Sequence, residues 1–121
     1  MEAAAIQDLF TELGSVRVRK MFGGQGIYFQ DRMFALEIGG ELYLKADEKS
    51  LPLFRNANSR AFRYEKHGKT QTMNYWLLPE EASDDPAEIA RWGRIALAAA
   101  ERANSEKNSK RLRRRQATAG I

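Results

Sequence analysis

Val16 and Val18 alternate with Arg17 and Arg19 until the period breaks at Lys20-Met21-Phe22. Gly23, Gly24 and Gly26 then fall within four residues, ahead of a second apolar run, Ile27-Tyr28-Phe29. Alternation of this kind is the mark of a half-buried strand. Glycine at this density permits positive φ and the close approach of another backbone. The stretch therefore predicts two strands meeting at a tight corner, bulged so that Met21 and Phe22 both reach a core. A phosphate-cradling loop would need a helix N-terminus directly after the glycines, and a strand pattern follows instead.

Upstream, Ile6, Leu9, Phe10 and Leu13 fall at i, i+3, i+4 and i+7, which predicts a helix over residues 2–13 with Gly14 as its stop. Downstream, residues 33–38 read as a third strand with Phe34, Leu36 and Ile38 inward and Ala35 and Glu37 outward. Gly39-Gly40 is a two-residue hairpin signal, and residues 42–46 return as a fourth strand. A short helix carrying Leu51, Leu53 and Phe54 is expected to start near Leu51, with Ser50 as N-cap and Pro52 in its first turn. Phe62 and Tyr64 alternate with Arg63 and Glu65 in a fifth strand, residues 66–69 turn, and a sixth strand over 72–78 stops at Pro79. Trp76 alternates against Met73, Tyr75 and Leu77. It belongs either to a core layer beneath a helix or to an exposed patch that marks an interaction surface.

The last helix has the clearest start: Asp85 as N-cap, Pro86 at the first helical position and Glu88 just inside. Ile89, Trp92, Ala96, Ala99 and Ala103 then share a face, and the helix is expected to end near Asn104. The order α-β-β-β-β-α-β-β-α predicts an α+β fold, an antiparallel sheet with helices packed on one face.

The absence of cysteine excludes disulfides, thiolate metal sites and cysteine nucleophiles. The N-terminus has no signal-peptide pattern, and the apolar stretch at 95–100 is far too short to span a bilayer, so a cytoplasmic protein with no membrane partner is expected. Charge divides the chain more sharply. Of the net +4, residues 105–121 contribute +5, from Lys107, Lys110, Arg111, Arg113, Arg114 and Arg115 against Glu106. This predicts one domain over 1–104 and a basic, disordered tail over 105–121. Six such cations can neutralise up to six phosphates of DNA or RNA, giving a log–log salt slope as large as about −5 without reading sequence. The alternative is a solubilising tail that complements the negative end of the last helix.

Catalytic chemistry finds little support. His67, the single histidine, sits beside Gly68 in a turn with no partner that would make it a general base. Gly68-Lys69-Thr70 resembles the end of a P-loop, but Arg63 stands where the earlier glycine is required. Glu80, Glu81, Asp84 and Asp85 are explained as charges complementing a helix N-terminus. No enzyme activity, cofactor or metal is expected.

Residues 19–28, together with Leu42-Tyr43-Leu44-Lys45, Tyr75 and Pro79, resemble the N-terminal domain of the TfoX/Sxy family, which is associated with bacterial competence regulation. The resemblance runs over residues 1–103 and implies a similar α+β arrangement and a regulatory role exercised through protein contacts. The chain departs from the family at Ala61-Phe62, where Pro-Phe is usual. It has no room for the second, C-terminal domain of the full-length regulators, so a single-domain form is expected. The candidate binding surface comprises Arg19, Lys20, Met21, Phe22, Gly23, Gly24, Gly26, Tyr28 and Lys45. Two other readings stay open: a small-molecule or anion site at the glycine corner with Arg19 and Lys20, serving an enzyme or a binding domain, and a sheet edge that pairs two copies into a homodimer rather than leaving a monomer.

Overall fold

In the computed structural model, which describes residues 1–21 and 23–119 with side chains as far as Arg115, six strands form one antiparallel sheet. Helix α1 (Ala3–Leu9) precedes β1 (Arg17–Met21), β2 (Gly24–Phe29), β3 (Arg32–Ile38) and β4 (Glu41–Lys45). Then come α2 (Leu51–Asn56), β5 (Ala61–Lys66), β6 (Lys69–Leu77), a short 3₁₀ turn (Glu80–Ala82) and α3 (Pro86–Ala119). The predicted order of helices and strands is thus the observed one. Across the sheet the strands run β1-β2-β3-β4-β6-β5, so α2 carries the chain past one strand position and the last hairpin returns β6 to the side of β4. Two hairpins turn on residue pairs with positive φ, Gly39 (59°) with Gly40 (84°) and His67 (54°) with Gly68 (75°). That backbone matches the right-handed twist of the flanking strands.

The main core lies between the sheet and the helices. Ile6 and Phe10 meet Ile27, Phe34 and Leu44 of the sheet, and Phe54, Ile89, Trp92 and Ala96 close the layer. Phe10 stands edge-on to Phe34 at 5.3 Å between ring centroids, and Phe54 contacts Trp92 at 4.8 Å. Ala96, Ala99 and Ala100 are buried, and their small side chains let α3 come close to β3 and β4. Asp85 caps α3 as expected: its Oδ1 accepts the backbone N–H groups of Ala87 (3.0 Å) and Glu88 (3.4 Å). Trp76 lies in the helix-side layer against Phe54, while Tyr75 and Leu77 face the other way.

Several expectations are corrected. Phe34 and Ala35 both enter the main core, whereas Leu36 and Ile38 point to the opposite face. The cause is a bulge: Ile27 pairs with Ala35 but Tyr28 with Met33, leaving one residue of β3 unmatched. A one-residue shift exchanges the faces of a strand. Glu37, expected outward, is buried on the helix side. The corner between β1 and β2 is not itself bulged. Alternation continues to Met21, which pairs with Gly24, and two residues join the strands; Gly23 has φ 76° and Phe22 lies outside the described residues. Ser50 does not cap α2 with its side chain. Asp47 Oδ1 instead accepts the N–H groups of Lys49 and Ser50, at 3.1 and 3.0 Å, and fixes the turn that leads into the helix.

Helix α1 is shorter than expected, with a tight turn from Phe10 to Leu13 ahead of Gly14 (φ 141°). Helix α3 is longer. It does not stop near Asn104 but runs to Ala119, because no glycine or proline stands between Gly93 and Gly120 and good helix formers dominate the stretch. Ala103, expected on the core face, is exposed, as is every side chain from residue 105 to 115. No helix among the described residues is long and apolar enough to cross a membrane.

The candidate interaction face of the sheet

All three helices pack on one side of the sheet; on the other, strand residues alone form a second cluster. Leu36, Tyr43 and Tyr75 are its centre, with Met21, Met33, Ile38, Phe62 and Leu77 around them. The pairing register explains the convergence. Arg19 lies opposite Gly26, Met21 opposite Gly24, Leu36 opposite Tyr43, and Tyr43 opposite Leu77, so these side chains stand in rows across the pleat. Tyr43, Leu36 and Tyr75 are buried although no helix covers them, because the longer side chains of the neighbouring rows close over them.

Glycine makes that closure feasible. A Cβ at Gly26 would lie 2.6 Å from the sulfur of Met21 and 2.9 Å from that of Met33. A Cβ at Gly24 would lie 2.5 Å from the Glu37 carbonyl oxygen, which is backbone and has no room to yield. The glycine-rich stretch thus serves two purposes: Gly23 turns the chain, while Gly24 and Gly26 admit β3 and the two methionines.

Cations sit among the aromatic rings. Arg17 lies over the Tyr28 ring at 5.8 Å and Lys45 over the Tyr75 ring at 5.3 Å. Phe62 meets Tyr43 edge-on at 5.0 Å and stacks on Tyr64 at 6.1 Å; Tyr64 is 39% exposed. The acid of this face is already engaged, since Glu41 Oε2 accepts a hydrogen bond from the Tyr43 hydroxyl (2.7 Å) and one from Arg60 (3.3 Å). Burial, reinforced by the negative Glu41, pushes the Tyr43 hydroxyl above its ordinary range. Burial, reinforced to a smaller extent by like-charge repulsion from Tyr28, pushes the Tyr75 hydroxyl up to about 12.

Of the residues expected to form the binding surface, Arg19, Met21, Gly24, Gly26, Tyr28 and Lys45 do share this face. Lys20 does not: it pairs with Gln25, whose side chain points to the helix side, where it donates to Met1 O (2.7 Å) and to Glu37 Oε1 (3.0 Å). Gly23 lies in the turn. Sequence reasoning missed Met33, Leu36, Phe62 and Tyr64. The signal was present at residues 33–36, where four apolar residues in a row indicate a strand buried on both faces.

The helix side offers other candidates. Glu37 accepts from the Met1 ammonium at 3.0 Å and from Gly40 N–H at 3.4 Å. Burial pushes its carboxyl up, but the ammonium, Gln25 and Gly40 together outweigh that and leave it below its usual value. A cleft of about 1270 Å³ lies between α3 and the β5–β6 hairpin, and acids and bases balance along its walls. Among the described residues no group of three or more His, Asp or Glu could hold a metal, and His67 is exposed at a hairpin tip. The tail cations Lys110, Arg111, Arg113, Arg114 and Arg115 project from the exposed end of α3. Helical spacing places Lys107, Lys110, Arg111 and Arg114 on one stripe.

A family model described as TfoX N-terminal domain matches residues 8–100. The chain is also 29% identical over 104 residues to Protein Sxy of Escherichia coli, which covers 86% of this chain and 50% of that protein. It is 31% identical over 78 residues to the DNA transformation protein TfoX1 of Aliivibrio fischeri, covering 64% of this chain and 37% of that one. The chain therefore spans half the length of one of these relatives and little more than a third of the other. With a match that takes in all six strands and most of the packed part of α3, the chain belongs to the TfoX N-terminal domain family.

Proposed function

We propose that this chain is a regulatory binding module that acts through protein contacts rather than catalysis and serves DNA transformation, the process that the name of one relative gives. The observation that carries the reading is the uncovered sheet face, where Arg19, Met21, Gly24, Gly26, Tyr28 and Lys45 stand beside apolar side chains that no helix covers. Residues 1–104 act as the binding domain in this reading, and residues 105–121 as a basic extension that adds non-specific affinity for nucleic acid. Two facts support the second part: the extension carries six cations against one acid, and its side chains as far as Arg115 are exposed.

The test is capture of partners from native cytosol with three baits: the full chain, a chain ending at Asn104, and the full chain with Arg19→Glu and Tyr64→Ala. A partner retained by the first two and lost by the third supports the face. A partner held equally by all three sinks it. For the extension, duplex DNA is titrated against the full chain and the shorter one; equal affinities at low salt would remove its role.

A further inference from the structure

We infer that the uncovered face of the sheet takes an amphipathic helix with acidic flanks, supplied by a protein partner. This rests on the reading of that face as the contact surface and names the chemistry of what it contacts. Three observations lead there.

The first is charge. Arg17, Arg19 and Lys45 stand on this face, while its acid, Glu41, is already held by Tyr43 and Arg60. A partner that supplies carboxylates completes the pairing; one that supplies cations meets like charge.

The second is the form of the floor. Its centre, Leu36, Tyr43 and Tyr75, lies across β3, β4 and β6, about 10 Å at the usual spacing between strands, and Met21 on β1 and Phe62 on β5 border it on either side. An α-helix with its side chains is about 10–12 Å across and fits that width.

The third is the kind of apolar surface offered, which separates a helix from single-stranded nucleic acid. Bases bind a sheet by stacking on free ring faces. Here Tyr43 and Tyr75 are buried, and Phe62 is packed edge-on against Tyr43 and stacked on Tyr64. The half-exposed side chains of the floor are instead Met21, Met33, Ile38 and Leu77. Methionine adapts to aliphatic and aromatic side chains alike, which suits the apolar stripe of a helix.

The methionines also report on the site. Met21 and Met33 border the face, whereas Met1 is tied to Glu37 and Gln25 on the helix side and serves as an internal control. The full chain with ¹³C-labelled methionine methyls is titrated with three probes: a synthetic 18-residue helix with leucine on one face and glutamate on the other, the same peptide with lysine for glutamate, and an oligothymidylate. The glutamate peptide is expected to shift the Met21 and Met33 signals and leave Met1 in place. Arg19→Glu is expected to weaken it by about fivefold or more, because Arg19 stands at the rim. Arg19→Gln, which leaves the fold's charges nearer balance, should weaken it less. Equal binding of the lysine peptide overturns the acidic assignment. Shifts by the oligothymidylate alone show a nucleic-acid face and overturn the helix. No shift with any probe overturns the inference while the cytosol capture still decides whether the face contacts a protein.

Discussion

Arg102 grips Asp47 through both carboxylate oxygens, its Nε at 2.6 Å from Oδ2 and its Nη2 at 2.9 Å from Oδ1. The pair ties the middle of α3 to the turn after β4, fifty-five residues earlier in the chain. It lies close to the end of the packed part of the helix, since Asn104 is the last half-buried residue described on it.

The Arg102 guanidinium, opposed by partial burial and assisted by the Ser50 N–H, holds the Asp47 carboxyl at about 2 against an ordinary 3.8. A depressed carboxylate contributes stability above its unfolded value and loses it as pH falls through its folded one. The contribution is thus complete above about pH 4 and lost between about 4 and 2. Arg102 is 36% exposed, so solvent screening reduces the pair to about 1–2 kcal/mol. Asp47→Asn should lower stability by that amount in denaturant titrations at pH 7, and the deficit should shrink towards pH 2. A deficit that does not change with pH would show that the ion pair is not its source.

Gly24 and Gly26 should respond differently to alanine. At Gly24 the new methyl meets the backbone carbonyl of Glu37, and overpacking against backbone costs about 1–3 kcal/mol. At Gly26 it meets methionine side chains that can turn aside, so the loss should be smaller. Melting temperatures of the two variants decide the order; a reversal would mean that the Gly24 backbone gives way.

Tyr75 should be the late tyrosine in a spectrophotometric titration, ionising near pH 12. A raised phenol favours the folded state below the unfolded value of about 10, and that stability is lost as pH rises from about 10 towards 12. Tyr28→Phe removes that repulsion and should lower the Tyr75 value slightly, with burial still holding it above 10. An ordinary value in that variant would make Tyr28, not burial, the larger cause.

Glu37→Ala leaves the Met1 ammonium without its carboxylate and removes one of the two hydrogen bonds that the Gln25 amide donates. Hydrogen bonds to a charged group contribute about 1.5–3 kcal/mol, and a loss of about 2 kcal/mol is expected by chemical denaturation at pH 7. Because the carboxyl titrates below its usual value, the difference from the parent should narrow as pH falls below about 4.5.

In the extension, Lys110→Gln with Arg111→Gln removes two cations from one helical stripe. The log–log salt slope of duplex binding should fall by about two. An unchanged slope would take the phosphate contacts away from this stripe.

The glycine pairs, the Asp85 cap and the alternating strands were legible because each is set by residues adjacent in sequence. The two faces of β3 were not. Their assignment depends on one unmatched residue against β2, which no period within β3 records. Lys20 was misplaced for a related reason: a break in the hydrophobic pattern suggested a bulge, while the backbone kept its alternation through Met21. The end of α3 was read from the loss of apolar residues, yet helix propensity and the absence of glycine or proline do not require a packed face.

By itself the sequence determined the order of elements, the absence of thiol chemistry and the basic end, because composition and local periodicity are properties of the chain alone. Tertiary structure decided which residues share the uncovered face. Arg19, Leu36, Lys45, Tyr64 and Tyr75 come from five strands, and only antiparallel pairing in a particular register brings them together. It also decided that the helices leave that face bare, since all three bury their apolar sides against the other.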